Sequence, residues 1–386
     1  NPRLGCNYGS AAGNLYFHRG GYFLEKEGLG IMSPTNSKSY GGFRAGCGVG
    51  AIPANGLVHL LPNGLGCGCA ALQGTAALES DPEPENTYAN FQPKPEFINT
   101  QKINNEKPAT EIEWPTYYAD NARSGVTKQD LSKVYSLAWE VKVKGTPTPS
   151  IAVGSQIFFG STDECVYSLS SSTGAITWKF QTTGAIQAAP CYWNGRIFVG
   201  SDDGWLYALA AEDGKLLWKI RGGPSNRKQI NFENMISPWP IRQGIAVNQG
   251  QVYFTAGLIP GAEIHSYCVD AVTGNVNWRI PVGKSYIIPT GYLTLLSDSL
   301  MIPSPGSASI YHPIVLGLKD GSRQKAQVTH GDFAELRHVA GLETEELGYT
   351  QGFIVFGGSE GKRRGYRDGF GYSSRIDKYD GQYSLF

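Results

Sequence analysis

This 386-residue chain lacks the features that mark several common classes. No apolar run approaches the roughly 18 residues of a membrane-spanning helix, so no membrane span is expected. No secretory leader is visible. The chain begins at Asn1 without Met, as a processed protein or a piece of a longer one would. Lys and Arg total 33 against 33 Asp and Glu. This balance leaves no global field to gather a nucleic acid or an acidic membrane surface. The six His are no enrichment, and no Gly-x-Ser-x-Gly stands in the strand-turn-helix context of a hydrolase nucleophile. No two cysteines are adjacent.

What the chain does have is glycine, at 50 of 386 residues, with 21 Tyr and 16 Phe. That glycine share is nearly double the usual figure of about 7% and suits a turn-rich all-β chain. The sequence also repeats itself. "IFFGSTDECVYSLSSSTGAITWKF" at 157–180 is followed by "IFVGSDDGWLYALAAEDGKLLWKI" at 197–220, and Trp178 and Trp218 stand 40 residues apart. "VYFTAGLIPGAEIHSYCVDAVTGNVNWRI" at 252–280 repeats the pattern around a longer turn, and "LAWEVKVKG" keeps the Trp139 end of another unit. Short alternating runs joined by Asp-Gly and Thr-Gly turns read as hairpins. One such small sheet cannot bury both faces alone, so a period near 40 predicts propeller blades packed in a ring. Trp139, Trp178, Trp218 and Trp278 then fill the wedge between neighbouring blades.

The unit resembles the quinoprotein-type repeat. That repeat occurs in pyrroloquinoline quinone (PQQ) alcohol dehydrogenases and in a lipoprotein of outer-membrane assembly that binds no quinone. The likeness is strong from Trp139 to Trp278. "WPTYYADNARSG" at 114–125, with "GCGVGAIPANGLVHLLPNGLGCGCAAL" upstream, further resembles large bacterial PQQ-binding-like β-propeller repeat proteins. The resemblance implies an all-β propeller of four-stranded blades, eight in a full ring and incomplete in this chain. It brings fold and not chemistry.

Further blade-like signals lie near 14–25, near 47–62, in "LTLLSDSLMIPSPGSASIYHPIVLGLKDG" and in "GFIVFGGSEG", where the last unit lacks its closing strands. The expected organisation is a Cys-containing blade region at 1–79, an extended polar and Pro-containing linker at 80–113, and propeller repeats at 114–386. Missing strands would come from unseen sequence or from another chain.

Seven cysteines point towards an oxidising compartment and disulfides. Cys6, Cys47, Cys67 and Cys69 cluster early, and their pairing is open. Cys67-Gly-Cys69 with His59 could contribute to a zinc site, but no second paired motif completes it. Cys165 and Cys191 are either a pair or two buried thiols, and Cys268 reads as a lone core residue aligned with Ala208.

Propeller sites usually lie on the face built by the loops that lead from one blade into the next. Most of these loops are short here, but "RGGPSNRKQINFENMISPWP" at 221–240 stretches the repeat spacing from 40 to 60. It offers Arg221, Arg227, Lys228, Glu233, Asn234 and Trp239 as ligand-binding candidates. Guanidinium forks, an amide and an indole suit carboxylates, sulfates or sugar rings. The alternative is a solvated insertion packed on the rim or on a partner.

The dehydrogenases resembled here share a Cys-Cys disulfide over the quinone and a calcium held by Glu and Asn. This chain has no adjacent pair, and Glu233 with Asn234 is a weak match. No cofactor and no metal are therefore expected, with PQQ and Ca2+ as the alternative. A polysaccharide lyase or hydrolase acting on acidic glycans is a further alternative, with His312, His330 and Tyr286 as weak catalytic candidates and His338 beside them. "GKRRGYRDGFGYSSR" at 361–375 reads as a solvated loop or an interface rather than a grip on a polyanion. The sequence thus points to an exported propeller, periplasmic, cell-surface or secreted. Its expected role is binding or scaffolding, with another polypeptide, the missing part of a longer chain or a polysaccharide as partner.

Overall fold

The computed structural model describes residues 89–97, 103, 113–127, 136–231, 234–257, 263–282, 291–296, 298–302 and 314–324, and outside these the backbone of several strands. The described residues are all β. They form a propeller whose best-defined blades are three antiparallel meanders of four strands each. Blade one is Ile151–Val153, Gln156–Ser161, Cys165–Ser170 and Ile176–Gln181. Blade two is Cys191–Trp193, Arg196–Gly200, Trp205–Ala210 and Leu216–Arg221. Blade three is Ala246–Asn248, Gln251–Ala256, His265–Asp270 and Val276–Pro281. Blade four has Thr294–Leu296, Ser299–Ile302 and Ile314–Gly317, with Arg323 bridging to Leu316 at its outer edge.

The remaining blade signals also become sheets. Ser10–Ala12, Leu15–His18, Tyr22–Glu25 and Lys38–Ser39 form one, and Ala51–Ala54, Leu57–Leu60 and Ala76–Glu79 another. Glu346–Thr350 and Phe353–Gly357 close with Ser384–Leu385, a third strand for the unit that the sequence pattern leaves unfinished.

The turns explain much of the glycine. The two-residue hairpins Asn194-Gly195 and Gln249-Gly250 hold both residues at positive φ. This is the primed turn that matches strand twist. Gly174, Gly214, Gly274 and Gly321, at φ between 69° and 72°, close the turn before each outer strand. A Cβ on any of these four would stand 2.6–2.9 Å from the ring of Trp139, Trp178, Trp218 or Trp278 respectively.

Each Trp therefore lies against the turn glycine of the next blade. Each indole N–H also donates to that blade's backbone. Trp139 reaches the carbonyl of Ser171 at 3.0 Å, Trp178 that of Ala211 at 2.9 Å, Trp218 that of Ala271 at 3.3 Å and Trp278 that of Leu318 at 3.0 Å. The outer strand prepares this. Its pairing skips one residue between Ser168 and Leu169, between Ala208 and Leu209 and between Cys268 and Val269, which is a bulge at the same place in all three blades. A bulge re-aims the side chain beside it. The Thr-Gly and Trp of the repeat are thus one interblade device.

Burial falls from the middle of each blade outward. Cys165–Ser170 and Trp205–Ala210 are buried almost throughout because both faces meet neighbouring blades, whereas along Ile176–Gln181 only Trp178 is buried. Gly160 and Gly200 mark a second point of close approach. A Cβ there would fall 2.2 Å from Ile186 or 2.4 Å from Ile241, residues of the loop entering the next blade. These contacts fix the loop face against the blades.

Candidate functional site

The channel-facing edges of the inner strands are not left open. Residues 113–127 run along them and bond to four successive blades. Trp114 exchanges two backbone bonds with Ala152 of blade one, at 2.8 and 3.0 Å, and the carbonyl of Pro115 accepts from Tyr192 of blade two at 2.7 Å. Asn121 Nδ2 donates to Val247 of blade three at 2.7 Å, and its carbonyl accepts from Leu295 of blade four at 2.8 Å.

Arg123, 4% exposed, secures the segment. Its Nε donates to the Leu293 carbonyl at 2.9 Å, Nη2 to the Ile245 carbonyl at 3.1 Å, and Nη1 to Thr116 Oγ1 at 2.6 Å and the Tyr117 carbonyl at 3.0 Å. Burial pushes its pKa below the ordinary arginine value, yet the surrounding carbonyls supply acceptors for the charged fork. Tyr117 stacks on Tyr292 with centroids 3.7 Å apart. The Tyr292 hydroxyl accepts from the Ala189 amide at 2.9 Å, and its ring lies where a Cβ on Gly244 would stand. Among the described residues, the protein's own chain thus covers the inner strand edges of blades one to four.

Above the stack, on the loop face, Gln187 and Arg242 hold the same position in consecutive entry loops, each one residue after the isoleucine that covers a blade glycine. Both reach Asp202. Arg242 grips it with two prongs, Nε to Oδ1 and Nη2 to Oδ2 at 2.9 Å, and Gln187 Nε2 donates to Oδ2 at 3.1 Å. The Asp202 side chain is 2% exposed and that of Arg242 24%. Such a fork is geometrically specific and leaves the outward face of the guanidinium to solvent. The next residue, Asp203, faces the other way. It accepts from the Thr183 amide and hydroxyl at 3.1 and 2.9 Å and from the Tyr207 hydroxyl at 2.6 Å. Burial first and the Asp203 charge second push Tyr207 far above the usual phenol range, so it stays a neutral donor.

The ligand-binding candidates are not gathered at this mouth. Arg221 ends the outer strand of blade two, with its guanidinium 5.2 Å from the Trp205 ring centroid. Trp239 is buried in the core against Gly223, because its loop folds back onto blade three. Arg227 and Lys228 are exposed. They lead into a two-stranded hairpin, Gln229–Asn231 with Asn234–Ile236, that carries exposed Asn234 and runs beside Ala76–Glu79. Glu233 lies outside the described residues, as do His312, His330, His338, Tyr286 and segment 361–375. Cys6, Cys47, Cys67 and Cys69 also lie outside the residues whose side chains are described.

Cys165, Cys191 and Cys268 are free, buried thiols, so the structure takes the two-thiol alternative for Cys165 and Cys191. Burial raises all three pKa values, that of Cys268 to about 11. A thiol whose folded pKa lies above its unfolded value near 9 adds stability below pH 9 and loses it as pH rises towards 11. Cys268 is therefore expected to resist alkylation in the native protein at pH 8 and to react once denaturant unfolds the blade. Mass-spectrometric peptide mapping would show this, and rapid native labelling would refute it.

PQQ is a flat tricarboxylic acid that needs unpaired cations and, for its calcium, converging oxygen ligands. Arg242 is engaged by Asp202 and Arg123 by carbonyls, and Tyr117 and Tyr292 stack on each other. Among the described residues no group of three or more His, Cys, Asp or Glu comes together. The described residues do not fit this cofactor.

The sequence gives one faint sign of the Arg242 cluster. "GAIQAAP" and "WPIRQG" align only once Ile186 and Ile241 are known to cover Gly160 and Gly200.

Residues 132–230 match the PQQ_2 family model, described as outer membrane protein assembly factor BamB. No curated protein matches the chain. Among solved structures, quinohemoprotein alcohol dehydrogenase from Comamonas testosteroni aligns at 17% identity and TM-score 0.44, over 64% of this chain and 46% of that one. A europium-containing methanol dehydrogenase aligns at 16% and 0.43, over 57% and 48%. BamB from Moraxella catarrhalis aligns at 12% and 0.36, over 57% and 72%. The chain spans about half the length of these two dehydrogenases. Among the described residues no helix is long and apolar enough to cross a membrane.

Proposed function

We propose that this chain, whose residues 132–230 match the PQQ_2 family model, is a binding or scaffold module that takes another polypeptide on its loop face. The observation that carries this reading is the covering of four inner strand edges by the protein's own chain. Residues 113–127 bond to four inner strands, and Tyr117 and Tyr292 stack between the blades. A deep concave site suits a small molecule. A closed surface of mixed polarity, with one guanidinium face, an amide and short loops, suits a protein partner. An exported location, periplasmic or at the cell surface, accords with this role.

An acidic glycan is the weaker reading, because the Arg242 charge is already matched by Asp202. Gln187 and Thr183 are exposed on the loop face, so Gln187→Trp with Thr183→Lys obstructs it without opening the core. Native mass spectrometry of material from its source is expected to show a complex with a second polypeptide. The double variant should capture that polypeptide about tenfold less well, with unchanged circular dichroism. A single bare species, or undiminished capture by the variant, would overturn the proposal.

A further inference from the structure

Among the described residues, blade two carries a fifth strand that blades one and three lack. The short strand Glu96–Phe97 adds antiparallel to the outer edge of Leu216–Arg221, with Phe97 opposite Trp218 and Glu96 opposite Lys219. Lys219 Nζ lies 3.2 Å from Glu96 Oε2. The flanking residues fasten this strap. Pro95 lies beside Gly274 in the turn of blade three, and Ile103 covers Gly195 of blade two. Arg279 Nη1 donates to the Phe91 carbonyl at 2.8 Å and lies over the Phe91 ring.

An unpaired outer strand presents a row of amides and carbonyls, and proteins cover, charge or interrupt such edges. Blade two is covered by its strap. Blade three has Arg279 tied to Phe91, and its edge strand ends in Pro281, which has no N–H to offer. Blade one has neither device among the described residues. Its Ile176–Gln181 is the end strand of a four-stranded sheet, with Ile176, Thr177, Lys179 and Gln181 exposed. It is also a register copy of the covered strand. Trp178 and Lys179 pair with Ser168 and Tyr167 as Trp218 and Lys219 pair with Ala208 and Tyr207, with the same bulge.

We propose that this edge of blade one docks an extended segment of a partner polypeptide, in which an acidic residue followed by an aromatic one pairs with Lys179 and Trp178. Backbone bonds to Ile176–Gln181 supply the attachment, and the two side-chain positions supply the selection, as in other cases of strand addition. The strap on blade two is the template for both register and charge. This surface is separate from the loop face and does not depend on it.

The test uses the full chain and a synthetic peptide with the strap's own sequence, PKPEFIN (residues 93–99). Hydrogen exchange with excess peptide is expected to slow amides within 176–181 and leave 216–221 unchanged. Lys179→Glu should weaken peptide binding about threefold or more, and a peptide with Lys in place of its Glu should restore it. Lys179 is exposed, so circular dichroism should confirm that the variant is folded. Three exchange results would each overturn the proposal: no peptide-dependent slowing at 176–181, full protection there in the free chain, or slowing confined to 216–221. The second would mean that the protein's own chain covers the edge, and the third that the peptide only competes with the strap. A dimer of the free chain that Lys179→Glu dissolves would assign the edge to a second copy and would equally overturn a partner segment.

Discussion

Arg123→Met is expected to lower unfolding stability by about 3–5 kcal/mol in denaturant titration. The charged fork has already lost its water, which is why its pKa lies below the ordinary value. Its compensation is a set of hydrogen bonds to the carbonyls of Leu293, Ile245, Tyr117 and Asp120 and to the Thr116 hydroxyl. Removing only the donor leaves buried acceptors behind, and each costs about 1–3 kcal/mol. Removing one side of a buried charged contact typically costs about 3–5 kcal/mol, whereas replacing both sides is often neutral.

Arg123→Lys should recover only part of this loss, because a single ammonium cannot span the Leu293 and Ile245 carbonyls from one planar fork. Native-state hydrogen exchange should show Leu295 and Tyr192, whose amides bond to the segment, losing protection together. A loss below about 1 kcal/mol would mean that 113–127 lies on the blades without bracing them.

Trp218→Ala should cost about 3–5 kcal/mol, and the same change at Trp139 clearly less. Trp218 is 1% exposed, packs beside Phe198 with centroids 5.9 Å apart, and donates to the Ala271 carbonyl. Truncation opens a cavity between blades two and three and leaves that carbonyl unpaired. Trp139 makes the equivalent bond to Ser171 but is only partly buried, so less apolar surface returns to water. Trp178 and Trp278, at 9% and 8% exposed, should fall between. Chemical denaturation of the four variants checks the order. Equal losses at Trp218 and Trp139 would show that the indole hydrogen bond, rather than burial between blades, dominates the contact.

The blades were legible because their signals are local and repeated. Gly200-Ser201, Tyr207, Asp213-Gly214 and Trp218 recur at fixed spacing, and each turn residue answers a backbone need within a few positions of itself. The interblade role of Trp was legible for the same reason, although its partner, the turn glycine one blade on, was not. The loop at 221–240 was legible only by its length. Where its side chains go was not legible: Trp239 joins the core and Arg221 ends an outer strand, because a long insertion in a propeller must first bury its own apolar residues.

The Arg242, Asp202 and Gln187 cluster was hidden. Arg242 and Asp202 stand 40 residues apart in different blades, and no local pattern signals a charge pair made across a blade boundary. Residues 113–127 were readable only as a resemblance, since their bonds go to strands as far away as Leu295, which pairs with Asn121.

The all-β class, the blade period, the turns and the tryptophan positions follow from the residues alone. Each is set by steric and hydrophobic requirements that act within one repeat and are repeated along the chain. What covers the inner strand edges, which aspartate holds Arg242 and which outer edge is covered come from the packed fold. Those outcomes depend on which distant segment reaches a given strand edge or loop first, and pairing of that kind leaves no periodic trace in the chain.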